Sequence, residues 1–213
     1  MTHIDGLTLE VSDGRDVPAT LDGVNAVLRD IGAGVWPLDL SEVEKDIRTL
    51  LSKRNLDEAE AAHVKKHFLL SMDRLLEITA AAGREPQVPG GGSSETKVTN
   101  HGYSYPQLYV VGEGIDYSRF DRFHINIGAD GAGVDEVFQM LAGGPFVIHQ
   151  RLDDGESLIV TLNCPTPGHG WLGTYSGIRP HIGSVGSAAV GSKFLVQAFG
   201  APQWNLTYVD LGD

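Results

Sequence analysis

A single cysteine, Cys164, is all the thiol chemistry this chain holds, so no disulfide can form within it. That excludes a stapled secreted scaffold and suits a reducing, cytoplasmic setting. Basic residues are scarce too: 16 Lys and Arg against 28 Asp and Glu leave a formal net charge of −12. Duplex nucleic acid and anionic membranes are bound through clustered cations, so neither is an expected partner. No apolar run reaches the roughly 20 residues that a membrane-spanning helix needs. The stretch from Met1 to Asp5 shows neither the basic nor the apolar segment of a secretory signal. Also missing are a P-loop, a G-x-S-x-G elbow, a C-x-x-C pair and any solenoid-type repeat. Gly32-x-Gly34 trails a helical pattern instead of a strand, which removes dinucleotide binding. Small molecules are left as the expected partners, and a homodimer is compatible with that.

What is present changes grain once. The 213 residues, 41% of them hydrophobic, suffice for one substantial core. Leu7 to Val11 alternates like an edge strand. Leu21, Val24, Leu28 and Ile31 then set a helical rhythm, closed by Gly32 and Gly34. Ser41 with Glu44 reads as a capping box for a second helix striped by Val43, Ile47, Leu50 and Leu51. Asp57 with Glu60 starts a third, whose stripe runs from Ala61 through Phe68 and Leu75 to Thr79, with Gly83 as its stop. Pro86, Pro89 and the run Gly90 to Ser94 form a linker. Beyond it come short β-runs at 97–101, 107–112, 120–127, 145–152, 157–164, 193–199 and 205–211, with Gly173 to Gly191 reading as a loop and potential lid. We therefore expect an α+β chain: a helical N-terminal extension over 1–89, packed on an antiparallel β-barrel of jelly-roll type over 95–213.

Chemistry concentrates between Phe123 and His169. His124 and Asn126 lie two apart on a β-run and share a face. Glu136 precedes Gly143 by seven positions, with six residues between; a β-run and Leu152-x-x-Gly155-x-Ser157 follow, and His169 comes after Pro165-Thr-Pro-Gly. This arrangement resembles the two-motif core of the cupin superfamily, with His124 standing for the first imidazole and Asn126 where the second would be. The resemblance implies a small β-barrel with one mononuclear divalent-metal site. It points to His124, Glu136 and His169 as ligands, and we add His101 as a fourth. Iron is the favoured metal, because two imidazoles and a carboxylate with open positions suit non-haem Fe(II), although Mn, Zn, Ni or Co also fit such a set. The competing readings are a half-solvated strand for His124 and surface turns for Glu136 and His169.

Other groups complete the expectation. On an extended segment His101, Tyr103 and Tyr105 share a face, so either phenol is a candidate proton-transfer group. Asn126 is placed to bind substrate, and Arg151 or Arg179 to clamp a carboxylate. Whether His149 and Arg151 face the cavity or solvent is open, since strand parity alone does not choose. His63 and His67, an i, i+4 pair, read as a solvated helix flank. The function implied is a metal-dependent oxygenase or lyase acting on a small organic acid or phenol; the alternative is a non-enzymatic small-molecule-binding cupin.

Overall fold

The computed structural model describes residues 1–86, 98–100, 103–112, 120–128, 131–185, 189–201 and 205–211, with backbone alone at 98–100, 103–104 and 205. The Gly90 to Ser94 linker and His101 lie outside them. The chain opens with a hairpin, β1 (Thr2–Ile4) and β2 (Leu7–Val11). After α1 (Leu21–Arg29) comes β3 (Gly34–Asp39), then α2 (Lys45–Ser52), α3 (Glu58–Phe68) and α4 (Met72–Ala81). A short ribbon pairs β4 (Val98–Asn100) with β5 (Tyr103–Tyr105). The remaining strands are β6 (Gln107–Val110), β7 (His124–Ile127), β8 (Val134–Ala142), β9 (Phe146–Arg151) and β10 (Ser157–Leu162), followed by β11 (His169–Ser176), β12 (His181–Ser184), β13 (Lys193–Gly200) and β14 (Asn205–Tyr208).

Two antiparallel sheets result. One runs β1-β2-β10-β9-β12-β7-β14 and the other β3-β11-β8-β13-β6. The α+β class stands, but among the described residues the sheets do not close into the expected barrel; they face each other as separate layers. Phe138 of β8 meets Phe146 of β9 at 5.1 Å between centroids, and Phe146 meets Phe194 of β13 at 5.2 Å. Aromatic packing of this kind joins the layers where ladder hydrogen bonds do not.

The five-stranded sheet is covered on its other side as well. Leu75 and Ile78 of α4 pack on Val137, Leu172 and Phe199, while Ile47, Val64 and Phe68 of α2 and α3 pack on Leu108, Leu141 and Leu195. That double cover explains the near-continuous burial of β8 and β13, whereas β9 and β10 alternate buried and half-buried residues as strands with one wet face do. Polar side chains on the covered face catch helix ends. Gln139 Nε2 donates to the Phe68 carbonyl at 2.7 Å, and Gln197 both accepts from the Leu70 amide at 2.8 Å and donates to its carbonyl at 3.1 Å. Lys193 Nζ donates to the Leu51 and Gly191 carbonyls at 3.1 and 3.0 Å and to that of Lys53, closing the C-terminus of α2.

These contacts account for several departures from the sequence reading. The long third helix is two helices, because Gln139 and Gln197 satisfy the backbone at a break and Ser71 caps the second. The Asp57–Glu60 capping box forms, but the second helix starts at Lys45, with Glu44 as a cap that makes no side-chain bond, and the Ser41 amide instead donates to Asp39. The strand expected at Leu7 to Val11 forms as β2, but the helical extension also contributes β1 and β3: β1 and β2 extend one sheet through β10, and β3 edges the other. The described residues of Gly173 to Gly191 do not form a loop, since they hold half of β11 and all of β12. Gly173 and Gly177 answer close approach instead of flexibility: a Cβ on Gly173 would overlap the Phe138 ring and one on Gly177 the Val134 carbonyl. Gly173→Ala should therefore lose about 1–3 kcal/mol by overpacking, measured by urea denaturation; a loss below about 0.5 kcal/mol would show that the ring moves aside freely.

Candidate metal and substrate site

The two sheets enclose a tight cavity of about 40 Å³, lined among others by Tyr105, Tyr109, Phe120, His124, Asn126, Glu136, Phe146, Tyr175 and Phe194. Each functional side chain is there by strand register. β7 turns His124 and Asn126 inward, both 3% exposed, while Ile125 and Ile127 stay half-buried. In β8, Glu136 faces the cavity and Asp135 the helix side, where Arg84 Nε donates to Asp135 Oδ1 at 2.9 Å. The same guanidinium donates to Thr174 Oγ1 at 2.8 Å, to the Tyr175 carbonyl at 3.0 Å and to the Gly32 carbonyl, pinning β11 against β8 where Tyr175 pairs with Glu136.

The two histidines share one construction. His124 Nδ1 lies 2.7 Å from the Arg122 carbonyl, and His181 Nδ1 lies 2.8 Å from the Arg179 carbonyl. A carbonyl only accepts, so in both rings Nδ1 carries the proton and Nε2 is the basic nitrogen. Fixing imidazole by its far nitrogen to backbone is what orients histidines that ligate metals. The strands bring the two residues into register, with ring centroids 4.4 Å apart. Burial, with the neighbouring His124, pushes His181 down to about 3, so it stays neutral.

Glu136 completes the cluster. Asn126 Nδ2 donates to its Oε1 at 3.1 Å and Tyr175 donates to its Oε2; Asn126 Nδ2 also stands 3.5 Å from His181 Nε2. Burial holds the Tyr105 and Tyr175 phenols well above the usual range, so both remain protonated, and the Tyr105 and Tyr109 hydroxyls meet at 3.0 Å. Burial also lifts Glu136 from 4.5 to about 7, with Tyr175 opposing the shift and the Asp135 charge adding to it. Between those values the folded chain holds a proton that the unfolded chain has released, so this group's contribution to stability falls as pH rises from 4.5 to 7 and stays low above. Glu136→Gln removes the titration, and Asn126 can turn its unpartnered Oδ1 toward the new amide. In chelator-treated protein, the Tm of Glu136→Gln relative to wild type should gain more at pH 8 than at pH 5 by calorimetry. A pH-independent difference would refute the raised carboxyl.

The structure thus brings His124, Asn126, Glu136 and Tyr105 together. Tyr103 lies in β5 with its side chain undescribed. His169 does not join them: it is exposed at the start of β11, bonded to Thr166 at 2.8 Å, six residues from Tyr175 and so roughly 20 Å along the strand. The Pro-Thr-Pro-Gly turn delivers it to the wrong end of the sheet. Arg151 and Arg179 do not enter the cavity either. Phe146 and Ile148 take the inner face of β9, so His149 and Arg151 point outward against Phe123, and Arg179 pairs with Asp153 at 2.6 Å. Tyr109 and Tyr175 are the residues sequence reasoning missed, and His181 was read only as part of the Gly/Ser-rich loop. One signal for His181 was legible: Arg122-Phe-His124 and Arg179-Pro-His181 repeat one spacing.

Whether the cluster suits a metal turns on Asn126. Among the described residues, no three His, Cys, Asp or Glu side chains stand close enough together to hold an ion by themselves. The Asn126 amino group occupies the space between carboxylate and imidazole, and its Oδ1 is buried without a partner. Half a turn of the amide exchanges the two atoms. Two imidazole nitrogens, a carboxylate and an amide oxygen then face one another, a donor set that fits a divalent cation.

This α+β arrangement of two facing antiparallel sheets has a counterpart among solved structures. The chain superposes on the acireductone dioxygenase from Bacillus anthracis, solved with a cadmium ion in its active centre, with a TM-score of 0.58 over 91% of this chain and 92% of that one. At 12% identity the likeness establishes the fold. No family model and no curated protein matches the sequence.

Proposed function

We propose that this chain is a metal-dependent cupin-type enzyme, an oxygenase or lyase, acting on a small uncharged or phenolic molecule. The observation that carries the reading is the matched pair His124 and His181, each fixed through Nδ1 to the carbonyl two residues earlier and set beside Glu136. His124, His181 and Glu136 would hold the ion only together with Asn126 Oδ1, once its amide turns. Iron is the metal proposed, since two histidines and one carboxylate leave positions open for substrate and dioxygen. A divalent ion there supplies Lewis acidity, favouring negative charge on a substrate oxygen. The similar protein is named as a dioxygenase holding a cation in its active centre, which supports this class.

The chain's own residues restrict the substrate. No Lys or Arg is among the described lining residues, and buried Glu136 disfavours a second negative charge, so a carboxylate is a poor fit and a phenol a better one. Tyr105 and Tyr109 offer hydroxyls for a substrate oxygen, while Phe120, Phe146 and Phe194 exclude water from it. Tyr175 holds a proton on Glu136 Oε2 and keeps the carboxyl oriented. Oxygen uptake by Fe(II)-reconstituted protein against a panel of phenols and matching benzoates tests this, with turnover expected for the phenols. Uptake confined to the benzoates would refute the substrate class.

The Asn126 amino group between Glu136 and His181 favours a second reading, a metal-free small-molecule binder in which the amide already does the bridging. Saturable phenol binding without any bound metal would decide for it.

A further inference from the structure

A second cavity, about 380 Å³, lies on the far side of the five-stranded sheet, where α2 crosses the end of β8 and the turn after Cys164. It is several times roomier than the His124 pocket and falls in the range of small-molecule sites. Leu40, Leu51 and Leu141 give it apolar walls, and Arg48 supplies charge. No Asp or Glu is among the described residues that line it. One Nη1 of Arg48 donates to the Ser41 carbonyl at 2.9 Å, which aims the guanidinium along the cavity and leaves further donors on the same group. The walls are held in place: Lys193 fixes the C-terminus of α2, and Pro165 and Pro167 restrict the opposite turn.

We propose that this cavity is a separate binding site for a compact amphipathic carboxylate, its apolar body against the leucines and its carboxylate on Arg48. An apolar-walled cleft with one cation and no acid among its described residues selects an anion over a cation of equal size, because the guanidinium offers paired donors to a carboxylate and repels an ammonium. The site is independent of the chemistry at Glu136, which lies on the opposite face of the layer.

Cys164 makes the site readable, since it lines this cavity and is the chain's sole thiol. Burial pushes that thiol up to about 12, so it reacts slowly and a decrease in rate is easily timed. The experiment measures modification of Cys164 by methyl methanethiosulfonate in the full chain, with octanoate, octan-1-ol or octylammonium present. Octanoate should protect saturably and octylammonium should not at equal concentration. Arg48→Gln should raise the octanoate concentration needed by at least about tenfold while leaving Tm, the unprotected rate and octanol protection unchanged. Arg48→Lys, which keeps the charge, should retain the preference for acid over amine. Equal protection by octanoate and octylammonium, undiminished octanoate protection in Arg48→Gln, or no protection up to the solubility of octanoate would each overturn the proposal.

Discussion

Arg84→Ala should cost about 3–5 kcal/mol of folding stability, the usual penalty for removing one member of a buried ion pair. The residue follows α4 on a stretch without regular structure, yet its guanidinium reaches Asp135, Thr174, the Tyr175 carbonyl and the Gly32 carbonyl. Asp135 is fully buried and the Arg84 side chain 9% exposed, so water cannot replace the lost donors cheaply. Burial pulls the guanidinium's affinity for its proton down and Asp135 restores part of it. Typical domains are stable by only 5–15 kcal/mol in order of magnitude, roughly, so the loss should be plain in urea unfolding. Arg84→Met with Asp135→Leu should lose less than the two single changes added, because the double variant leaves no charge behind. Strict additivity would show that the pair is not coupled. Arg84 also holds the register that sets Tyr175 against Glu136, so any folded Arg84 variant should bind metal less well.

Legibility in the sequence followed local pattern. β9 and β10 were readable because only one of their faces is buried, and alternation survives there. β3 was not, because Gly34 and Pro37 look like loop residues, although Asn25 holds the Val35 backbone through two hydrogen bonds of 2.9 and 2.7 Å. Glycines misled at β11: Gly170 and Gly173 sit where other atoms leave no room for a Cβ, a tertiary cause that composition cannot show. His124, Asn126 and Glu136 were legible because two of them share a strand face and the third belongs to a recognisable spacing. His169 was favoured over His181 because it follows a spacing that resembles the second cupin motif, a feature of local sequence, whereas His181 earns its place through pairing of β12 with β7, a long-range one.

His181→Ala and His124→Ala should each weaken metal binding by more than about 100-fold, since altering mere supports of a ligand already costs 10–100-fold. Both rings are buried and anchored, so alanine leaves a gap that no neighbouring imidazole fills. Asn126→His places a further imidazole beside Glu136 and should tighten binding, while Asn126→Leu removes the amide oxygen and should loosen it. His169→Ala, at the exposed start of β11, should change nothing. The most direct measurement is metal per chain by mass spectrometry after anaerobic reconstitution with Fe(II) and desalting, for wild type, His124→Ala, His181→Ala and His169→Ala. About one ion per chain is expected in wild type and in His169→Ala, with essentially none in the two pocket variants; equal metal in all four proteins, or none in wild type, would contradict the site.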